Sequence, residues 1–443
     1  MRNYHRQFFS VKRNEWPFAF NMFSIFFLII STFWILKPLK KTLFFQFYKE
    51  QGGFNALSFH MTGAQAELLA KIVNMLAAVV AVIVFSWLSH RFKRERLTWI
   101  FVSLFCLSFM VFGFTLTPLT EPVAWLFYVI GDMFATVMVA AFFAFLNDSV
   151  SPEVAKRLYG PIGLGGVLGG AFGSSVEALF IHSMSIPGWM IICIVMTAAI
   201  SVNAWFAARN AEKVTAPHEH EVRTHVRTDD DGSLFEGAKM TFSSPYLLSI
   251  GMIVCLYEIV SALVDFQFSA AFEHSYTSAE LPGKFGAVFA RNNWVALFVQ
   301  IFVTGFVMRR FGLTPALLTL PVAEMAGAVG FIVFPVAGTA GLLSTFDNGF
   351  SYSINQSAKE ALYVTTPRPV KYKAKAFIDM FLQRFGKAIA VVLSLILTMY
   401  FKNFSTVRWI SLLTLAIVLI WMFCARYAGQ IFDSAAKKGK PAG

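Results

Sequence analysis

Twelve apolar runs, most of them about twenty residues or longer, divide this 443-residue chain, and no other feature restricts its fold so severely. A helix needs roughly twenty residues to cross a hydrocarbon core about 30 Å thick, and every backbone amide inside that core must be satisfied within the segment. The runs therefore read as membrane-spanning helices near 17–46, 66–90, 98–117, 122–147, 160–181, 186–208, 246–272, 285–309, 314–336, 339–363, 375–401 and 405–428. The expected fold is an all-α membrane protein of about twelve transmembrane helices in two six-helix halves. Composition agrees: 57% of the residues are hydrophobic and 14% charged, more apolar side chain than a water-soluble core of this size can hide.

The formal charge of +12 would suit a nucleic-acid binder, but the Lys and Arg residues gather in loops beside the apolar runs, as membrane orientation requires. No nucleic-acid polymer is expected as a partner; the lipid bilayer is. The amino tail, HRFKRER at 90–96, SPEVAKR at 151–157, MRRFG at 308–312, RPVKYKAK at 368–375 and the KKGK tail are basic or charge-rich, and the alternate loops are nearly free of cations. Cations stay on the cytoplasmic side, which predicts two cytoplasmic termini in a bacterial-type inner membrane. Arg2, Arg6, Lys12 and Arg13 precede a first run long enough to be retained as a helix, so no cleavable signal is expected. The polar stretch before residue 246 gives the division 1–16 tail, 17–208 first half, 209–245 linker, 246–428 second half and 429–443 tail. A short basic loop follows the second helix of each half, an echo that parallel repeats of a major-facilitator-like transporter would produce, with a site between halves near the bilayer midplane. A membrane scaffold could share that topology.

Ionisable groups inside the runs carry the functional information, because each costs at least about 2.5 kcal/mol to insert and normally faces a cavity or a partner. The first helix holds Lys37, Lys40 and Lys41, which either snorkel to the outer boundary or face inward. Asp132 lies about ten residues into the fourth helix, too deep for a short side chain to reach either surface. On the seventh, Glu258 and Asp265 are seven residues apart and share one face. The eleventh supplies Asp379, Arg384 and Lys387, the two cations three residues apart on one face. Such carboxylates either pair with lysines across the bundle or tune selectivity, and a cavity supplied with these cations would attract a phosphate or carboxylate. Glu177 and Glu324 also lie in apolar runs, with nothing further to distinguish them.

Several motif-like stretches carry no chemistry. GPIGLGGVLGGAFGSS at 160–175 lacks the spacing of a dinucleotide loop and has no strand before it; Gly165, Gly169 and Gly173 instead recur every fourth residue, as close helix packing requires. His218, His220 and His225 sit in the linker without thiolates, so neither a metal nor any cofactor is expected, and no GxxxxGK precedes Lys387. Cys106, Cys193, Cys255 and Cys424 are scattered through apolar runs as packing residues.

At the charged helices the chain resembles the bacterial and plastid nucleotide transporter family, the ATP/ADP translocases. The family's Arg-Asp-Thr-Lys-Asp stretch is resembled by Lys37 to Lys41, with Lys40 at the family lysine. Its Phe-Tyr-Val followed by an acid is matched by Phe127, Tyr128, Val129 and Asp132, its Ala-Lys-Arg-Phe-Tyr by Ala155 to Tyr159, and its Leu-Val-Glu by Leu263, Val264 and Asp265. The likeness is closest at Lys359-Glu360-Ala361-Leu362-Tyr363, Lys373 to Asp379, and Arg384-Phe385-Gly386-Lys387. Asp stands for Glu at both acidic positions, Pro38 and Lys41 replace acids, and Gln356 and Ser357 replace an aspartate and a proline. The resemblance implies a major-facilitator-like fold, nucleotide exchange, and transport-critical roles for Lys40, Asp132, Asp265 and Lys387, with Lys359 among the substrate-binding candidates. The function expected is secondary active transport of an anionic small molecule, with ATP/ADP-type exchange first, and no enzyme activity. The alternatives are proton-coupled transport of another organic anion or phosphate ester, and a scaffold without transport. Oligomeric state is not encoded in these patterns.

Overall fold

A computed structural model describes residues 11–56, 59–92, 94–150, 152–214, 233–366, 373–375, 377–400 and 404–438. The linker segment with His218, His220 and His225, the 367–372 loop and both extreme tails lie outside them.

The chain is helical almost throughout, as the apolar runs dictate. In the first half, α1 (Trp16–Glu50), α2 (Gly63–Arg91), α3 (Arg94–Thr115), α4 (Glu121–Ser149), α5 (Pro152–Phe180) and α6 (Ile186–Val214) follow one another. Then come α7 (Ser233–Ser243), α8 (Pro245–Ser275), α9 (Leu281–Phe298), α10 (Gly305–Arg310), α11 (Leu313–Val333), α12 (Ala337–Phe350), α13 (Gln356–Leu362), α14 (Gln383–Tyr400), α15 (Phe404–Val407) and α16 (Ile410–Lys438). Proline opens α1, α4 and α8 within the first turn, where its missing N–H costs nothing. Two features go beyond the sequence reading. A short antiparallel hairpin, β1 (Phe54–Ala56) on β2 (Phe59–Met61), follows α1, entered through Gly53 at φ +121°, a conformation that favours glycine. The expected linker also contains α7.

Ten helices are long and apolar enough to cross a membrane among the described residues. The expected tenth and eleventh spans are helical too, but polar. The tenth joins α12 to α13 through a π-helical turn, Ser351–Asn355, and the eleventh enters α14 through another, Ile378–Leu382. Asp347, Asn348, Ser351, Ser353 and Asn355 crowd the former, and Asp379, Arg384 and Lys387 the latter. With these two segments the chain is a polytopic helical membrane protein of about twelve spans.

The chain forms two compact units. One comprises the described residues of Met1–Gln51, Val73–Thr228 and Pro282–Ala290; the other, those of Gly52–Ile72, Asp229–Leu281 and Arg291–Gly443. In the first unit α1 packs on α4, α5 and α6. The glycines of α5 permit this: a Cβ at Gly165 or Gly169 would lie 2.5 Å from the Phe23 or Phe27 carbonyl oxygen, and Ser31 donates to the Gly169 carbonyl at 3.0 Å. In the second unit α8 packs on α12, α14 and α16, and Gly386 lets α14 approach the Cys255 backbone. Large side chains such as Phe114, Leu179 and Phe423 stand exposed on the helices, a surface suited to lipid and not to water.

Candidate functional site

In the first unit, the Lys40 ammonium pairs with the Asp132 carboxylate, and Asn74 donates a second hydrogen bond to the same carboxylate. Lys40 is 4% exposed and Asp132 26%, so the pair is sheltered and its acid remains reachable. The elements that place it are plain. Gly131 leaves room on α4 for the lysine stem, since a Cβ there would sit 3.1 Å from Lys40 Cδ. Lys40 Nζ also lies 4.0 Å from the Tyr128 ring centre, a cation–π contact worth about 2 kcal/mol when desolvated. Tyr128 and Asp132 stand one turn apart on α4, so the Phe-Tyr-Val and acid pattern forms one cradle around Lys40.

Lys37 and Lys41 are placed by aromatic faces. Lys37 Nζ is 4.4 Å from Trp34 and 5.3 Å from Phe289; Lys41 Nζ is 5.7 Å from Phe285 and 5.8 Å from Phe45. Lys40 and Lys41 are buried and Lys37 is half-buried, and the helix that carries them continues to Glu50.

In the second unit, α8 carries Glu258 and Asp265 on one face, and each has a cation. Asp265 accepts from Lys71 Nζ at 2.5 Å. Glu258 accepts from Gln383 at 2.6 Å and faces Lys387 at 3.6 Å, with Lys387 itself half exposed. Arg384 is exposed on the same helix as Lys387, and Lys359 is half-buried on α13. Lys375 bridges Glu360 at 2.5 Å, so the Lys-Glu motif of α13 is tied to the start of the eleventh span. At the basic end of α5, Arg157 holds Glu15. Burial alone would raise the Glu15 pKa; the Arg157 hydrogen bond, the Lys12 amide and the charges of Arg157 and Lys12 outweigh it, and its carboxyl sits below the ordinary range.

Sequence reasoning missed four polar residues. Hydropathy places Lys71 and Asn74 in an ordinary second span, although a cation inside an apolar run is signal enough. Arg291 stands mid-span in α9, its guanidinium donating to Thr345 Oγ1 at 2.9 Å and to the Gly341 carbonyl at 2.7 Å. Asp347 lies 4% exposed in α12 and accepts from Ser261 at 2.8 Å. Among the described residues no group of His, Cys, Asp and Glu is arranged to hold a metal.

Against known proteins, the model of the Major Facilitator Superfamily matches residues 17–368, most of the chain. The chain belongs to the Major Facilitator Superfamily. A second model, the TLC ATP/ADP transporter, matches 338–432, the stretch that holds Lys359, Arg384 and Lys387. Among relatives within this superfamily assignment, ADP,ATP carrier protein 2, chloroplastic, of Arabidopsis thaliana is 22% identical over 82% of this chain and 68% of its own. ADP,ATP carrier protein 1 of Chlamydia muridarum is 22% identical over 94% of this chain and 89% of its own. The solved nucleoside transporter NupG aligns with TM-score 0.60 at 13% identity, over 94% of this chain and 100% of that one. A D-xylose-proton symporter gives 0.59 at 13%, over 94% and 97%. The structural likenesses speak for the superfamily fold. The resemblance to the ATP/ADP translocases drawn from the charged helices is borne out by the second model and the carrier relatives, as a divergent case.

Proposed function

We propose that this chain exchanges nucleotides of the ATP/ADP type across a bacterial inner membrane by alternating access, with both termini in the cytoplasm and two halves at 17–208 and 246–428. The observation that carries the reading is the buried Lys40 held by Asp132, Asn74 and Tyr128 at the positions that resemble the translocase motifs. A lysine kept charged by a partially accessible carboxylate can hand its charge to an incoming phosphate, because the carboxylate is already stabilised by a second donor and can be released to it. Lys387, half exposed and loosely paired to Glu258, offers the second cation in its own unit. Lys37 and Lys41, lodged against aromatic rings, add positive field to the first set. Asp132 and Asp265 then serve selectivity: they keep the lysines oriented and oppose a solute too poor in negative charge to displace them.

The matched relatives, named ADP,ATP carrier proteins and an ATP/ADP transporter model, support nucleotides as the first solute to try. A binding test separates solute classes. Purified protein in detergent is heated with ATP, ADP, AMP or orthophosphate. ADP and ATP are expected to raise the melting temperature, AMP less so, and Lys40→Ala to abolish the shift while keeping a cooperative transition. Equal shifts with orthophosphate, or none with any nucleotide, would remove the nucleotide assignment.

A further inference from the structure

Glu324 lies in the interior of α11, 0% exposed. Neither of its oxygens receives an N–H or O–H donor. One turn on, a Cβ at Gly327 would meet the Leu343 and Phe346 side chains of α12, and this packing sets the turn that carries Asp347, itself 4% exposed, against Glu324. Two buried carboxyls set against each other inside the helix packing, with no donor on Glu324, are untenable as two anions; a single proton between them supplies a hydrogen bond and leaves one negative charge in place of two. Ser261 donates to Asp347 Oδ2 at 2.8 Å, and Ser261 stands on α8 between Glu258 and Asp265, three residues after the first and four before the second. That spacing puts all three on one helical face.

We propose that Glu324 and Asp347 form an intramembrane proton-binding site, occupied by one proton, and that Ser261 ties its charge to the α8 face bearing Glu258 and Asp265. Release of the proton to water leaves two carboxylates, so it requires α11 and α12 to part or water to enter. The pair therefore reports conformation, and a step of the transport cycle that opens it carries a proton with it.

The charged and titratable surroundings are defined. Tyr257 of α8 lies in the field of both Asp347 and Glu258, and Tyr352, in the π-helical turn after α12, in the fields of Asp347, Lys387, Glu258 and Asp265. Arg291 of α9 is engaged with Thr345 and Gly341, two and six residues before Asp347. On α10, Arg309 caps the Gly305 carbonyl, and on α16, Asp433 accepts from Thr314, about three turns of α11 before Glu324. None of these supplies a donor to Glu324.

The inference rests on the chain being a transporter and not on the solute being a nucleotide, and its test has a readout independent of transport. Full-length protein in lipid nanodiscs is titrated by infrared difference spectroscopy, reading the C=O stretch of protonated, desolvated carboxyls. Wild type is expected to show such a band at neutral pH that is lost in Glu324→Gln, shifted in Asp347→Asn, where Glu324 keeps a proton without its acid partner, and still present in Glu177→Gln, which removes a separate buried acid. Ser261→Ala is expected to displace the band's titration. In proteoliposomes, an inward proton gradient should change ADP counter-exchange several-fold in wild type and leave Glu324→Gln indifferent. A Glu324→Gln spectrum identical to wild type overturns the proton site; a Ser261→Ala titration unchanged overturns the tie to α8. If wild type moves no ADP, the nucleotide reading fails and the infrared result alone decides the proton site.

Discussion

Lys40 and Glu15 show two ways in which one residue reports on this molecule. Lys40→Ala strands Asp132 with a single amide donor, and loss of one partner of a buried pair costs about 3 kcal/mol at the low end of its range, appropriate since Asp132 keeps 26% exposure. The double variant with Asp132→Ala should recover much of that stability and none of the exchange, as read by thermal unfolding and uptake; recovery of exchange would make the pair structural. Glu15 titrates outside the membrane. Its carboxyl is held below the ordinary 4.5, so its contribution is present in full above that value and fades as pH falls through the lower folded value. Glu15→Gln should therefore lower the melting temperature at neutral pH, with the gap to wild type closing in acid. Much of the site was legible one residue at a time: Lys40, Asp132, Glu258 and Asp265 declared themselves because lipid penalises charge. Their partners were not, since Lys71, Asn74 and Gln383 meet them only through tertiary packing that no spacing along the chain encodes.

At the level of elements, apolar length located the helices and small-residue spacing marked a packing face. The α5 glycines meet the backbone of α1, so Gly169→Leu must push the two helices apart; overpacking costs about 1–3 kcal/mol and should lower the melting temperature in detergent. Gly163→Ala, where a Cβ meets open space, should leave it unchanged. Equal effects from the two substitutions would contradict the packing. Neither the β1–β2 hairpin nor α7 was legible in the sequence. Hydropathy counts residues that lipid accepts; it is blind to short strands held by backbone bonds alone. Polarity in the tenth and eleventh spans had the opposite value: they are poor spans by composition because α12 carries Asp347, the π-helical turn before α14 carries Asp379, and α14 carries Arg384 and Lys387.

For the whole molecule, superfamily membership and the ATP/ADP transporter match at 338–432 support an exchanger. An exchanger differs from a symporter or a scaffold in needing a solute on both sides. The decisive measurement is uptake of labelled ADP into proteoliposomes preloaded with ATP or left empty, with wild type, Lys40→Ala and Lys387→Ala compared at equal incorporation. Saturable uptake into loaded vesicles only, reduced at least about tenfold by either substitution, a loss of about 1.4 kcal/mol or more in transition-state stabilisation, is the expected result. Equal uptake into loaded and empty vesicles, or wild-type exchange by both variants, would contradict it.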